Sequence, residues 1–295
     1  MQAKLSGIFP PIPTTFDQSG SVDTHAMAAN VTRWMTTRLS GVLALGSNGE
    51  ANSLDEAESD LVLATVRAVV PSSKLLLAGT GRESTRATID ASRRAGALGA
   101  DAVLVRPPSF YKNQMTPDAL IGHYRRVADA SPVPVLLYNL PATGVTLTLR
   151  VVSDLAAHQN IVGMKETSPD LEQVTQFASI DPEFRVFSGW APVIYPALVS
   201  GASGGILAVA NVLPDECVAL FDHARAGRHA DALLLQRAIT RLAQLVTSVH
   251  GIAGLKVALD LLGFHGGATR SPLLPTPDHG REDIRRALAA INLPA

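Results

Sequence analysis

The chain has 295 residues, and its 25 basic residues nearly balance its 26 acidic residues. Because these charges are spread without blocks, the sequence has no electrostatic footprint for nucleic acid or an anionic membrane. No stretch approaches the roughly 20 apolar residues that cross a bilayer, and the N-terminus lacks the pattern of a signal peptide. We therefore expect a globular cytoplasmic protein that acts on a small molecule.

Two global features limit the chemistry and the number of domains. Cys217 is the only cysteine, so the chain can form neither an internal disulfide nor a cysteine-based zinc site. The eight histidines show no paired metal-ligand spacing, and we expect neither a metal nor another cofactor. The length alone would suggest two domains, but α/β barrels run larger as single domains.

Apolar runs typical of buried strands alternate with amphipathic segments along about three quarters of the chain. The predicted strands are 7–12, 41–45, 75–79, 102–106, 133–138, 161–165, 185–188 and 205–208. This alternation predicts a parallel sheet with crossover helices. The glycine fingerprint of a doubly wound nucleotide-binding sheet is missing after the first strand, so we expect a closed (β/α)₈ TIM barrel of the α/β class.

Local patterns also predict where helices begin and where the barrel ends. The predicted helix starts are a capping box of Ser53 with Glu56, Thr116 before Pro117, and Ser168 before Pro169. The strand signal disappears after 227, where segments 228–250, 252–262 and 281–291 predict helices. We therefore expect a catalytic barrel of residues 1–227 and a helical C-terminal extension of residues 228–295.

A lysine ends the otherwise apolar sixth predicted strand. Active sites of such barrels lie at the C-terminal ends of the strands, and of the five lysines only Lys165 is placed there by an apolar strand. A lysine that reaches solvent or pairs with Glu166 is the structural alternative. At this position we favour a nucleophilic amine that forms a Schiff base with a ketone.

Two neighbouring strand ends add polar groups to this lysine. Tyr138 ends the strand before the lysine strand, where its phenol can transfer protons or simply cap the core. Ser47 and Asn48 follow the second strand between two glycines. Such a loop can hold a carboxylate through backbone N–H groups and short side chains, although an ordinary turn has the same composition.

Breaking a carbon–carbon bond next to a ketone requires a group that accepts the electron pair. Since the histidines predict no metal site, the electron sink that the sequence offers is an imine on Lys165. The loops after the seventh and eighth strands lack the glycine cluster of a barrel phosphate site. This absence favours a substrate without phosphate.

Together these strand ends resemble those of the dihydrodipicolinate synthase and N-acetylneuraminate lyase family of pyruvate-dependent class I aldolases. The resemblance covers nearly the whole chain and includes segments 7–15, 46–50, 78–81, 138–141 with Gly144, 163–166 and 188–189. It implies that Lys165 forms the imine with pyruvate, that Tyr138 relays protons, and that Ser47 and Asn48 hold the 2-oxo acid carboxylate. The further pocket residues that it implies are Thr167, Gly189 and Ile206.

The resemblance also implies a homotetramer, built as a dimer of dimers, in which a tyrosine reaches the site of a neighbouring subunit. Tyr111 is the residue we assign to this role, with Phe110 as the alternative. Asn48 departs from the paired hydroxyl residues of the family and resembles the 4-hydroxy-2-oxoglutarate aldolase branch. Segment 141–144 lacks the arginine with which the lysine-pathway synthases bind the carboxylate of their aldehyde substrate.

These features predict a carbon–carbon lyase that reversibly cleaves a 4-hydroxy-2-oxo acid or a 2-oxo-3-deoxy sugar acid to pyruvate and an aldehyde. Cleavage of 4-hydroxy-2-oxoglutarate to pyruvate and glyoxylate is the specific example. Alternatives on the same fold are dihydrodipicolinate (4-hydroxy-tetrahydrodipicolinate) synthase, a keto-deoxy sugar acid dehydratase, and a catalytically silent barrel that binds a 2-oxo acid. The presence of both Lys165 and Tyr138 favours an enzyme over the silent barrel.

Overall fold

The computed structural model describes residues 5–291, in which eight parallel strands form a nearly closed barrel. The strands are β1 (Gly7–Phe9), β2 (Gly41–Ala44), β3 (Leu75–Gly79), β4 (Ala102–Val105), β5 (Val135–Asn139), β6 (Ile161–Glu166), β7 (Arg185–Ser188) and β8 (Gly204–Ile206). Each strand pairs with the next in the chain from β2 to β8, and β8 pairs with β1. The N–H of Leu43 donates to the Pro10 carbonyl (2.9 Å), which joins β2 to the segment after β1. The predicted TIM barrel is confirmed.

Helices alternate with the strands and continue after the last one. They are α1 (Thr24–Met35), α2 (Glu56–Val69), α3 (Thr85–Ala97), α4 (Pro117–Ala130), α5 (Leu149–Ala156), α6 (Leu171–Ala178), α7 (Ile194–Val199), α8 (Pro214–Arg225), α9 (His229–Gln244), α10 (Gly251–Leu261) and α11 (Asp278–Ala289). None of these helices, which cover the described part of the chain, is long and apolar enough to span a membrane.

Side chains from alternate strand positions fill the inside of the barrel. This interior cluster consists of Leu5, Phe9, Leu43, Leu75, Leu77, Ala102, Leu104, Leu136, Tyr138, Val162, Phe187 and Ile206. Phe9 and Phe187 pack edge to face, with ring centroids 5.7 Å apart. The other strand face packs against the helices, so the strands are apolar on both faces and appear in the sequence as continuous apolar runs. The layer at the C-terminal end contains Tyr138 and Ile206, where the polar groups begin.

Two of the three predicted helix starts were wrong. The capping box of α2 joins Asp55 and Glu58, because Ser53 ends a short 3₁₀ turn and the chain is extended at the next residue. Helix α6 is capped by Asp170, whose carboxylate accepts from the Gln173 N–H (3.0 Å), while Ser168 caps the turn before it. The third start is confirmed, since the Thr116 hydroxyl accepts from the Ala119 N–H at the start of α4.

The C-terminal helices pack on the barrel and share its core. Apolar side chains of α9, α10 and α11 belong to the same buried cluster as the barrel helices. On α9, Gln236 donates to the Ala191 carbonyl (3.0 Å) and accepts from the Tyr195 N–H (2.8 Å), which fixes the loop after β7. The proposed division at residue 227 falls between α8 and α9. Residues 1–4 and 292–295 of the two proposed units lie outside the described residues.

His123 on α4 makes the stability of the fold depend on pH. Its side chain is buried, with Nδ1 3.0 Å from the Thr85 hydroxyl, and burial, together with the charge of Arg126, lowers its pKa from 6.5 to about 4. Because the unfolded histidine takes up a proton at a higher pH than the folded one, the neutral ring stabilises the fold above pH 6.5. This stabilisation is lost as the pH falls through the range down to the folded pKa.

We expect His123→Gln to reduce this pH dependence. Between about pH 7.5 and about pH 5, the wild type should lose about 2 kcal/mol of unfolding free energy that the variant does not lose. Urea unfolding at the two pH values measures the difference, with His279→Gln, at an exposed position of α11, as the matched control. Equal losses in the wild type and in His123→Gln would contradict the assignment.

Candidate active site

Lys165 lies at the C-terminal end of β6 with its amine inside the barrel mouth. It pairs in register with Tyr138 on β5, so both side chains point to the same face. Its Nζ is 3.5 Å from the Tyr138 hydroxyl and 4.6 Å from the centre of the ring. The side chain is buried, with 4% of the residue exposed, and it forms no ion pair with the described residues. A buried amine beside a phenol can act as a nucleophile with a proton donor at its side.

Ser47 extends this pair into a chain of three polar groups. Its hydroxyl lies 3.5 Å from the Tyr138 hydroxyl, which therefore stands between Ser47 and Lys165. Both distances are long for hydrogen bonds, and such contacts commonly shorten when a substrate binds. The three groups can pass a proton from one side of the cavity to the other.

Gly189 makes room for the lysine. It follows β7, and a Cβ atom at this position would lie 2.1 Å from the Thr167 hydroxyl oxygen and 2.7 Å from Cε of Lys165. Any side chain here would clash with Thr167 and Lys165 and displace them. The Thr167 hydroxyl is buried and has no hydrogen-bond partner among the described residues, so it is available to a bound molecule.

The loop that carries Ser47 and Asn48 is fixed by a buried ion pair. Ser47–Gly49 form a 3₁₀ turn, and Glu50 after it has a left-handed backbone with φ of 53°. The Glu50 carboxylate is 2.7 Å from the Lys256 amine of α10, and both side chains are almost fully buried. A non-glycine residue in this conformation costs on the order of 1–3 kcal/mol and persists only when its surroundings hold it. The ion pair provides that restraint.

Seven of the eight predicted site residues meet at one cavity of about 230 Å³. The seven that line it are Ser47, Asn48, Tyr138, Lys165, Thr167, Gly189 and Ile206. Tyr111 does not line this cavity. It lies on the loop after β4, 68% exposed, with its ring against that of Phe110 (centroids 5.0 Å apart). Its predicted contact with a neighbouring subunit stays a prediction.

The C-terminal extension supplies lining residues that sequence reasoning missed. Thr247, Gly251 and Ile252 reach the cavity from a π-helical turn, Leu245–Val249, and from the start of α10. π-Turns inside helices occur frequently at functional sites because they displace side chains from the regular spacing. The sequence pattern predicted one helix over 228–250, since a π-turn has no local signature in composition.

Known proteins resemble this chain over nearly its whole length. The model of the dihydrodipicolinate synthetase family matches residues 4–291. The chain is 34% identical over 292 residues to a probable mitochondrial 4-hydroxy-2-oxoglutarate aldolase of Emericella nidulans, which covers 97% of this chain and 94% of the relative. It is 33% identical over 290 residues to an N-acetylneuraminate lyase of Rhizobium meliloti, covering 98% and 96% of the two chains.

A solved structure shows the same relationship in three dimensions. The crystal structure of dihydrodipicolinate synthase DapA-2 from Bacillus anthracis matches with a TM-score of 0.93 and 26% identity, over 98% of this chain and 99% of that chain. The match therefore includes the barrel and the C-terminal helices alike. On the family match, the relatives and this structure, the chain belongs to the dihydrodipicolinate synthetase family.

Proposed function

We propose that this protein is a class I aldolase that reversibly cleaves a 4-hydroxy-2-oxo acid or a 2-oxo-3-deoxy sugar acid to pyruvate and an aldehyde. Cleavage of 4-hydroxy-2-oxoglutarate to pyruvate and glyoxylate is the reaction we would test first. The observation that carries the proposal is the buried Lys165 amine, 3.5 Å from the Tyr138 hydroxyl at the C-terminal end of the barrel.

Imine formation is the first step of the proposed reaction. Ser47 and Asn48 hold the carboxylate of the 2-oxo acid, so that its C2 carbonyl faces Lys165. The lysine nitrogen attacks C2 and forms a carbinolamine. Tyr138 then protonates the C2 hydroxyl, which leaves as water, and the product is a protonated imine with its carbon–nitrogen double bond to Lys165.

Carbon–carbon cleavage uses the same two residues. The Tyr138 oxygen, having given up its proton, removes the proton of the C4 hydroxyl. The C4 oxygen forms a carbonyl, the C3–C4 bond breaks, and its electron pair moves into the protonated imine to give an enamine. The aldehyde departs, C3 takes up a proton, and water hydrolyses the imine to release pyruvate and the free amine of Lys165.

The loop after β5 favours the aldolase over the lysine-pathway synthase. Pro141–Thr143 form a 3₁₀ turn that ends at Gly144, whose φ of 81° suits glycine. This turn contains no arginine that could bind the carboxylate of a second substrate. Asn48 and the Emericella nidulans relative named as a 4-hydroxy-2-oxoglutarate aldolase support the same choice.

We also propose that the enzyme works in the cytoplasm, without a metal or organic cofactor, as a homotetramer built from two dimers. Two exposed aromatic side chains on the loop after β4 support an assembly. Phe110 is 78% exposed and packs edge to face against Tyr111, and a pair of exposed rings is typical of protein interfaces. One of the two would reach the cavity of a neighbouring subunit.

Tyr138→Phe tests the proposed proton transfers. We expect kcat for pyruvate release from 4-hydroxy-2-oxoglutarate to fall about 10²–10⁴-fold, because the phenol acts in both imine formation and cleavage. A lactate dehydrogenase-coupled assay measures the release. Tyr195→Phe is the matched control, since the Tyr195 hydroxyl contacts His229 outside the cavity. An undiminished kcat in Tyr138→Phe would contradict the role, and a wild type that cleaves no 4-hydroxy-2-oxo acid would contradict the proposed function.

A further inference from the structure

A second chamber adjoins the cavity above Lys165. It has a volume of about 420 Å³ and shares Ser47, Tyr138 and Ile252 with the first. Tyr138 therefore stands at the boundary, with the amine of Lys165 on one side of its hydroxyl. The second chamber is lined by two guanidinium side chains, Arg82 after β3 and Arg106 after β4. Among residues 5–291, Lys165 is the only cation that lines the first.

Arg106 is positioned by its neighbours and is largely withdrawn from solvent. Gly81 lies directly against it, because a Cβ atom at Gly81 would be 2.6 Å from Cγ of Arg106. Its side chain is 17% exposed, and Nη1 pairs with Glu83 (2.7 Å) and donates to the Pro107 carbonyl. All of its hydrogen bonds to residues 5–291 leave from Nη1. Its Nε and Nη2 donors are therefore available to a ligand.

Glu83, which pairs with Arg106, also accepts hydrogen bonds from other groups. Glu83 accepts the N–H groups of Ser109 (2.8 Å) and Phe110 (2.9 Å) with its second oxygen. Burial would raise the pKa of Glu83, but these N–H groups and Arg106 hold it below its usual range. Because its charge is shared among four donors, the fourth being the Ser109 hydroxyl at 3.5 Å, Glu83 compensates Arg106 only in part. Arg82, by contrast, directs both Nε and Nη2 to Glu56.

We propose that Arg106 forms an anion subsite for the aldehyde half of the substrate, and this inference rests on the proposed function. With C2 of the substrate on Lys165, the C4 hydroxyl must lie beside the Tyr138 oxygen. The group attached beyond C4 then continues into the second chamber. A carboxylate or phosphate there would meet the free Nε and Nη2 donors of Arg106, a geometry that suits bidentate binding of a planar carboxylate.

Arg106 provides the cation that the loop after β5 lacks. Residues 141–144 offer no cation to a substrate that carries a second negative charge, and Lys112, which packs near Gly144, lines neither chamber. The enzyme would therefore select an anionic aldehyde over a neutral one of similar size. Neutral sugar aldehydes would be poor partners for pyruvate.

Three small aldehydes and three variants test this inference in the addition direction, with pyruvate as the common substrate. Glyoxylate, glycolaldehyde phosphate and glycolaldehyde differ in the group attached to the aldehyde carbon: a carboxylate, a phosphoryloxymethyl group or a hydroxymethyl group. We expect the wild type to prefer one of the anionic aldehydes, and Arg106→Gln to lower kcat/KM for that aldehyde about 10- to 100-fold, as for the loss of a charge-assisted hydrogen bond. The rate with glycolaldehyde should not change.

Two further variants separate binding from loop structure. Glu83→Gln leaves the guanidinium but removes its partner, so it should keep the preference for the anion, and Lys112→Gln controls for loss of a cation on the same loop. If Arg106→Gln does not fold, Arg106→Lys should retain the preference only in part. Equal rates for all three aldehydes in the wild type, or an equal loss for all three in Arg106→Gln, would overturn the inference.

Borohydride trapping of pyruvate tests the Schiff-base chemistry separately from the anion subsite. Trapping requires imine formation at Lys165 and does not involve Arg106, so it should be unchanged in Arg106→Gln. Trapping without a preference for an anionic aldehyde overturns the subsite but leaves the Schiff-base chemistry standing. Absence of trapping in the wild type overturns the proposed function itself.

Discussion

Lys165→Ala is expected to lower the rate of pyruvate release by on the order of 10⁴-fold or more, as removal of an attacking nucleophile does in other enzymes. Without the amine no imine forms, and the electron pair of the breaking C3–C4 bond has no acceptor. Lys165→Arg should lose as much activity, because arginine keeps the positive charge but stays protonated and cannot attack a ketone. The comparison of the two variants separates covalent chemistry from electrostatic attraction.

The coupled pyruvate-release assay, run on both variants, measures this loss. Lys112→Ala is the matched control, since Lys112 lies on an exposed loop away from the cavity. All three variants should unfold cooperatively, because neither substitution at Lys165 breaks an ion pair within the described part of the chain. Full activity in Lys165→Ala, or in Lys165→Arg, would contradict a Schiff-base mechanism at this residue.

Lys256→Met is expected to lower the free energy of unfolding by about 3–5 kcal/mol, the usual cost of leaving one charge of a buried pair uncompensated. The Lys256 amine is 2.7 Å from Glu50, and the two side chains are 1% and 0% exposed. The other oxygen of Glu50 accepts the backbone N–H of Arg270 at 2.8 Å, which does not replace a cation, and the Arg270 guanidinium pairs with Glu58. Because Glu50 follows the Ser47–Asn48 loop, KM for the 2-oxo acid should rise as well.

A double variant distinguishes the charge effect from lost packing. Glu50→Gln combined with Lys256→Met removes both charges and should recover much of the stability that Lys256→Met loses, since replacing a whole buried pair is often neutral. Urea unfolding measures the free energy of unfolding of the wild type, of Lys256→Met and of the double variant. Arg285→Met, which breaks an exposed pair with Glu282, should leave the unfolding free energy little changed. A Lys256→Met protein as stable as the wild type would contradict the proposed restraint.

The sequence predicted the strands well because each is buried on both faces. All eight predicted strands coincide with observed ones, and the differences lie at their ends. The fifth begins at Val135 rather than at 133, because Pro134 has no N–H to donate to the ladder. Polar residues that close an apolar run are likewise visible in a sequence, which is why Lys165 and Tyr138 could be singled out before the structure.

Other parts of the site depend on contacts between distant segments and leave no local pattern. Glu50 and Lys256 look like ordinary charged residues until the fold brings them together in the interior. Arg106 ends a predicted strand, but its significance arises from the space left by Gly81 and from the second chamber. The lining residue Thr247 was missed because a π-turn interrupts a helix whose sequence period looked continuous.

Schiff-base formation at Lys165 is decided by intact-mass analysis of the protein after incubation with pyruvate and sodium borohydride, followed by peptide mapping. We expect a reduced pyruvyl adduct on Lys165, and none in Lys165→Arg. A folded wild-type protein without an adduct, or with the adduct on another lysine, would contradict the proposed chemistry.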